Sequence, residues 1–212
     1  TGTTIFVASV FASALSFSAA SNASECVLTM ASTAGLSNGD FVEVTSGWGR
    51  LNQRAVRIKS VVANTSITLE GMDTTSTTFF PTGSGAGSVR KVSTWQQVTM
   101  VTTVSSNGGD PINVDYKYLE SDVRYKMNDG FNGTDYTLTI DADAISTAGY
   151  TALKNLTDVQ TNTILRVVTR SGQIQLIPGT VALNESVQMS DGQINTVTAS
   201  ITGNNRTTRY AS

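Results

Sequence analysis

Turn signals interrupt this chain at short intervals, and they constrain its fold more than any other feature of the sequence. A glycine follows a polar residue at several of these points, including Asn38-Gly39, Ser171-Gly172 and Asp191-Gly192. Such pairs supply the backbone conformations that tight reversals need. The short stretches between them are β-prone, since serine and threonine make up roughly a quarter of the chain. We therefore predict a mainly β protein.

The chain carries few charges. Charged residues are 14% of the sequence, against about 25% in an average globular protein, and the net charge is −2. This balance predicts no broad electrostatic attraction to nucleic acid or to an anionic membrane. We expect neither tight DNA binding nor a membrane partner.

Few side chains are suited to catalysis or to metal binding. There is no histidine, and Cys26 is the one cysteine, which excludes Ser–His and Cys–His pairs and an intrachain disulfide. Asp141 and Asp143 would share one strand face, either to hold a hard cation or simply as the charged end of a strand. We expect no catalytic residue, metal or cofactor, and so no enzyme.

The apolar, serine-dotted residues 5–20 have the length of a secretion signal. No lysine or arginine occurs before Arg50, however, so the basic start of such a signal is missing. The pattern favours a terminal strand or arm over residues 1–21 instead.

Two further regions follow. Residues 22–91 are predicted to form a small inserted β module that closes in a glycine-rich turn or hinge at 81–88. Its predicted strands cover residues 26–30, 40–45, 55–62 and 66–70. Residues 92–212 are predicted to form the main body, with a helix near 147–159 opened by Ser146. The predicted strands of this body cover residues 96–105, 112–121, 136–141, 164–169, 173–177, 180–189 and 193–202.

The first two strands of the body are predicted to form a long hairpin around residues 107–111. Its second strand alternates, with Ile112, Val114, Tyr116 and Tyr118 on one face and Asn113, Asp115 and Lys117 on the other. Its first strand has no charge over 98–104, so an exposed edge there would make a monomer prone to aggregation. The pattern predicts that a neighbour covers this edge.

Two surface features allow more than one interpretation. Arg50, Arg54, Arg57 and Lys59 form the densest basic patch, which is either a solvated strand face or a contact for phosphate. Trp48 lies near a turn, where a tryptophan is either a surface contact or part of the core or its rim.

Several segments, in order along the chain, resemble the tail tube proteins of long, non-contractile-tailed bacteriophages, in the lambda-like tube family. The first is Gly39-Asp-Phe-Val-Glu-Val-Thr-Ser-Gly-Trp-Gly-Arg-Leu-Asn52. The others are residues 87–96, 115–122, 136–140, 181–186 and 208–210. The loop at 125–133 does not match the family pattern.

The resemblance implies a two-sheet β-sandwich or barrel with one flanking helix, and hexameric rings that stack into a tube in the virion tail. Each subunit would lend four strands to an inner barrel, from the hairpin and from the strands after the helix. About 24 strands at ~4.8 Å spacing and ~40° tilt give a bore of about 48 Å across the backbone. Expected partners are the tape measure protein, other tail proteins and double-stranded DNA that passes without sequence-specific binding. Assembly would take place in the host cytoplasm.

The same resemblance places Asn113, Asp115 and Lys117 in the lumen, provided that the tyrosines of the opposite face pack against the body. The acidic residues Asp110, Glu120 and Asp122 flank this hairpin. Acidic groups there would keep DNA from adhering, because every cationic contact to phosphate adds affinity.

A second function stays open at this point. The serine and threonine content and an exposed Trp48 would suit a host-surface or carbohydrate-binding β module of a phage tail or adhesin, with Trp48 on the outer surface.

Overall fold

The computed structural model describes residues 2–211. It has 51% of the residues in strands and 8% in helices, which confirms a mainly β fold with one α-helix. The strands are β1 Thr4–Phe11, β2 Leu15–Phe17, β3 Ala19–Ala20, β4 Val27–Thr29, β5 Phe41–Ser46, β6 Arg54–Val62, β7 Ser66–Leu69, β8 Gly87–Val98, β9 Val101–Gly108, β10 Pro111–Tyr116, β11 Tyr125–Phe131, β12 Thr134–Asp141, β13 Thr163–Val168, β14 Ile174–Gln188, β15 Thr196–Gly203 and β16 Thr208–Tyr210. The helix α1 is Ala148–Val159, after a 3₁₀ turn at Ala142–Ser146.

Fourteen strands form one curled sheet, a half-barrel, and β10 and β11 form a separate two-stranded sheet. Along the large sheet the order is β3-β4-β7-β6-β5-β8-β1-β13-β14-β15-β12-β9, while β2 pairs with β8 and β16 with β14. All of these pairs are antiparallel. One end of the sheet is therefore β9.

Within residues 2–211, two large hydrophobic cores form on this sheet, together with a smaller cluster that includes Ala8, Ile164 and Tyr210. One is enclosed by the strands of residues 17–89 and contains Trp48, Leu28 and Ile58. The other lies under α1 and contains Leu138, Leu153 and Leu165. The predicted β-module strands at 26–30, 40–45, 55–62 and 66–70 match β4 to β7.

β1 and β8 connect the two cores. β1 is a central strand between β8 and β13, so the N-terminal segment is part of the sheet. The first half of β8 pairs with β5 and the second half pairs with β1. The proposed division at residue 91 thus falls inside a continuous strand.

The helix has most of its predicted apolar stripe of Tyr150, Leu153, Leu156 and Val159. The first three are buried against the sheet, whereas Val159 in the last turn is 66% exposed. Its cap differs from the prediction. Thr147, rather than Ser146, precedes the first helical turn, and its hydroxyl oxygen accepts from the Tyr150 backbone N–H at 3.3 Å. Ser146 instead ends the 3₁₀ turn.

The predicted long hairpin is wrong in its pairing. The strand expected at 96–105 is divided at Met100, where φ is 58°, into β8 and β9. β9 then pairs with β12, and β10 pairs with β11, a strand that was expected to be a loop. An alternating pattern specifies the two faces of a strand but not its partner, because several strands here alternate equally well.

A second difference concerns Pro178-Gly179, the break that separates the two strands predicted at 173–177 and 180–189. β14 runs through it without interruption. Pro178 lies between the stretch paired with β16, which ends at Leu176, and the stretch paired with β15, which begins at Gly179. The missing N–H of proline therefore costs little at this position.

Candidate functional site

β10, β11 and the turn between them form an arm over residues 111–131. Val114 pairs with Met127 and Tyr116 pairs with Tyr125, so these four side chains share one face of the arm. Their exposed fractions range from 39% for Tyr116 to 57% for Met127. An apolar sheet face left this open in a single subunit is typical of an interaction surface.

The tip of the arm carries a cluster of aromatic rings. Tyr116 stacks on Tyr125 with centroids 5.5 Å apart, and Tyr118 packs edge-on against both at 5.6 and 6.0 Å. Tyr116 and Tyr118 were expected to pack against the body. They pack instead on each other, because β10 belongs to the separate sheet rather than to the curled one.

The opposite face of the arm is polar. Asn113 lies across from Asn128 and Asp115 from Lys126, and Lys117 follows directly after β10. All three predicted lumen residues are exposed, as are Asp110, Glu120 and Asp122. The structure thus places Asn113 and Asp115 on one polar face, opposite Tyr116 and Tyr125, with Lys117 just beyond the strand. Residues 110–131 contain five acidic and three basic residues, so this segment is acidic.

β9 is the second exposed element. It pairs with β12 on one side and has no strand on its other side among residues 2–211. Its eight residues carry no charge, and every one from Thr102 onward is exposed. An uncharged edge strand is a template for pairing with another chain.

Trp48 is not a surface contact, which corrects the expectation. Its side chain is 1% exposed and its indole N–H donates to the Pro81 carbonyl oxygen at 2.7 Å. Its ring packs edge-on against Phe80 at 5.2 Å. The indole is covered because the glycine-rich stretch folds over it. The second candidate function rested on an exposed Trp48 and loses that support.

The glycine-rich stretch at 81–88 packs closely against neighbouring segments rather than forming a hinge. A β-carbon at Gly85 would lie 2.8 Å from the Trp48 ring, and one at Gly87 would lie 1.9 Å from the Thr45 carbonyl oxygen. Glycine is required at both positions because the backbone approaches so closely.

The carboxylates considered for a cation have a structural role. Asp141 Oδ1 accepts from the Asp143 backbone N–H at 3.0 Å and so caps the 3₁₀ turn. Within residues 2–211 no group of three or more metal-ligating side chains is positioned to hold an ion. Burial raises the pKa of the Cys26 thiol, which makes it a poor nucleophile.

The helices of the described part of the chain are too short or too polar to cross a bilayer.

The predicted basic patch divides into two parts. Arg57 binds Glu70 and Lys59 binds Glu25, at 2.5 and 2.6 Å. Arg50 and Arg54 instead face Arg206 of the segment before β16, in a cavity of about 230 Å³. Arg206 also lies over the Phe131 ring at the base of the arm, 4.4 Å from its centroid. Sequence analysis missed this cluster because Arg206 is more than 150 residues away in sequence.

A curled β-sheet with an uncharged free edge at β9 and an arm with an exposed apolar face are typical of a subunit that associates with other chains. Residues 46–212 match the phage tail tube protein family. The chain therefore belongs to that family. It is a structural subunit of a phage tail, in a family that is not enzymatic.

Among the solved structures that match this chain, one is similar over part of its length. It is described as the tail of an empty GTA particle, computed by helical refinement with C6 symmetry. The identity is 9%, the TM-score is 0.43, and the match covers 55% of this chain and 87% of that one. No curated protein matched the sequence significantly.

Proposed function

We propose that this subunit assembles into hexameric rings that stack into a hollow tube through which double-stranded DNA passes. The chain belongs to the tail tube protein family, and the structural observation that best supports the proposal is the apolar face of the arm. There Val114, Tyr116, Tyr125 and Met127 stay exposed in the single chain. A neighbouring copy that covered this face would remove apolar surface from water, at about 25 cal/mol for each Å².

Ring closure uses the free edge of β9. Its unpaired backbone groups need strand partners, and a neighbouring copy provides them in a barrel, which has no open edges. The curled shape of the sheet suits this role, because several half-barrels side by side close into a cylinder.

The polar face of the arm lines the lumen, with Asn113, Asp115 and Lys117 toward the DNA. A conduit must not retain its cargo, and the acidic excess of residues 110–131 limits cation–phosphate contacts. The tape measure protein and other tail proteins are the further partners, and assembly occurs in the host cytoplasm. Residues 22–91 remain a proposed inserted module on this tube subunit.

Negative-stain electron microscopy across a concentration series, with size-exclusion chromatography beside it, tests the assembly. We expect rings or tubes of constant bore. A strictly monomeric protein at every concentration, even with a tail initiation complex, would overturn the proposal.

A matched pair of variants on β10 then tests which face packs. Val114→Asp and Asn113→Asp add the same charge one residue apart, on the apolar and the polar face respectively. We expect Val114→Asp to abolish tubes and Asn113→Asp to leave them intact. Equal behaviour of the two would contradict the assignment of the faces.

A further inference from the structure

Three arginines from distant parts of the chain meet at the base of the arm. Arg50 and Arg54 come from the segment around the start of β6, and Arg206 from the loop before β16, and all three line the cavity of about 230 Å³. The side-chain amide of Asn205 donates to the Asn52 carbonyl oxygen at 2.7 Å. This bond fixes the loop against residues 49–52, so the three guanidinium groups are held close together.

The charge of this cluster is not neutralised within the subunit. Among residues 2–211, no carboxylate lies within 4.0 Å of these three guanidinium groups. Asp73 also lines the cavity, but its carboxylate accepts from Thr75, from the backbone N–H at 2.8 Å and the hydroxyl at 2.7 Å. Burial lowers the pKa of Arg54, and the nearby charge of Arg206 lowers it further. Asp129 lines an adjoining cavity with Arg50 and Arg206, so two carboxylates lie near three cations without pairing, and a further anionic group would complete the cluster.

The free N–H groups of Arg50 and Arg206 suit a carboxylate, whereas Arg54 Nε donates to the Thr208 hydroxyl at 3.4 Å. Arg50 lies over the Phe79 ring at 3.3 Å and Arg206 over the Phe131 ring at 4.4 Å, so one flat face of each guanidinium is covered. Neither guanidinium donates a hydrogen bond to another described residue, which leaves their edges open. A guanidinium edge binds a carboxylate through two parallel hydrogen bonds. The cavity is smaller than the ~300–1,000 Å³ that drug-sized ligands occupy, and it suits a side chain.

We propose that this arginine cavity binds the acidic tip of the arm of a second copy, with Glu120 and Asp122 as the carboxylates. Both side chains are exposed and form no ion pair within the described chain, and Leu119 between β10 and these acids is fully exposed. This contact rests on the proposed function, of which it is one interface.

The tip that fills the cavity belongs to another copy for a geometric reason. Phe131, at the base of the arm, lies on Arg206, and Pro111 pairs with Phe131. From Pro111 to Tyr116 an extended strand carries the tip about 17 Å away from that base. Each copy thus has cations at the base of its arm and anions at the tip. Such a head-to-tail contact repeats from copy to copy, as a growing tube requires.

Charge-reversal variants test this contact through the critical concentration for tube assembly, measured by sedimentation and electron microscopy. We expect Arg206→Glu to raise that concentration about tenfold or more, and Glu120→Arg with Asp122→Arg to do the same. Combining all three changes should restore assembly to within about threefold of the unmodified protein. Arg170 is an exposed arginine elsewhere on the subunit that forms no ion pair among residues 2–211, so Arg170→Glu should leave the critical concentration unchanged. Thermal melts confirm that each variant folds.

Several results would overturn the proposal. They are unchanged assembly of Arg206→Glu, loss of assembly that the combined variant does not restore, and tip variants that assemble normally while Arg206→Glu does not. If Arg206→Glu leaves the tubes intact and lowers only the amount of nuclease-protected DNA, the cavity binds phosphate instead. Absence of tubes from the unmodified protein overturns the proposed function, and this contact with it.

Discussion

The core of residues 17–89 and the arm of residues 111–131 contain the same kind of strand, but the apolar side chains are buried in the core and exposed in the arm. In both, apolar and polar residues alternate along the strands. Val42 and Val44 of β5 are fully buried, whereas Val114 and Tyr116 of β10 are 44% and 39% exposed. The difference is that the chain supplies a second layer over β5 and none over β10. An alternating strand becomes core or interface according to where its covering layer comes from.

The largest expected effect comes from comparing a buried ring of the core with an exposed ring of the arm. Trp48→Ala removes a fully buried ring and its hydrogen bond to Pro81, and should lower the free energy of unfolding by about 3–5 kcal/mol. Tyr118→Ala removes a ring that is 55% exposed at the tip of the arm and should cost less than about 1 kcal/mol. Urea unfolding of the dissociated subunit measures both. Similar losses would mean that the arm is part of the folded core.

An ion pair beside the first core tests how the two halves of the sheet are joined. Glu43 is 3% exposed and binds Arg90, whose guanidinium also donates to the Asn162 carbonyl oxygen at 3.0 Å. Glu43→Gln removes the buried charge that Arg90 binds, but the Arg90 side chain is 33% exposed and keeps partial hydration, so we expect a loss of about 3 kcal/mol on urea unfolding.

The matched control for this pair is Glu185→Gln. Glu185 binds Lys154 at 3.0 Å, but both side chains are about half exposed, so water compensates for the lost pair. We expect a much smaller change there. A large loss of unfolding free energy in Glu185→Gln together with a small loss in Glu43→Gln would contradict the expectation that the more buried ion pair contributes more to stability.

A third prediction uses pH. Burial, above all, raises the pKa of Tyr210 to about 12, from 10.0 in a model compound. The unfolded chain therefore releases this proton first, and the folded state loses stability as the pH rises from about 10 to 12, by ~2–3 kcal/mol. Urea unfolding at about pH 9 and pH 12 measures the loss.

Tyr210→Phe is the control for the pH prediction. It should lose this contribution to the pH dependence, while Tyr136 and Tyr150, whose pKa values burial also raises, contribute equally in both proteins. At neutral pH the variant is expected to be less stable by about 1–3 kcal/mol, because the Arg57 backbone N–H loses its acceptor at 2.7 Å. The same alkaline loss in both proteins would contradict the role of Tyr210.

Local patterns were enough to predict much of the fold. β5 and β6 lie close to their predicted bounds because turn residues flank both. The helix is recognisable because Tyr150, Leu153 and Leu156 repeat at helical spacing. Each of these signals lies within a few consecutive residues.

Features that depend on distant residues were not predictable in this way. The pairing of β9 with β12 and the burial of Trp48 depend on segments tens of residues away. The arginine cavity needs Arg206 to meet Arg50, which no local pattern encodes. The polar face of β10 was predicted, since alternation defines it, but the arginine cavity at the base of the arm was not.

The smallest expected effect on the subunit is the sharpest test of the comparison. Met127 is 57% exposed on the apolar face of the arm, so Met127→Ser should change the unfolding free energy of the dissociated subunit by less than about 0.5 kcal/mol. If a neighbour covers this side chain in the tube, the same change weakens the binding free energy of each contact by about 1.5–3 kcal/mol, because the buried apolar surface is lost. The critical concentration should then rise roughly tenfold or more.

Asn128→Ser on the polar face of the same strand is the matched control and should change neither quantity. Core side chains of residues 17–89 such as Val42 and Val44 cannot behave like Met127, because they are already buried within the subunit. A Met127→Ser protein that is destabilised as a monomer but assembles normally would show that the arm is completed by its own chain. An unchanged monomer with weakened assembly would show that its covering layer is another copy.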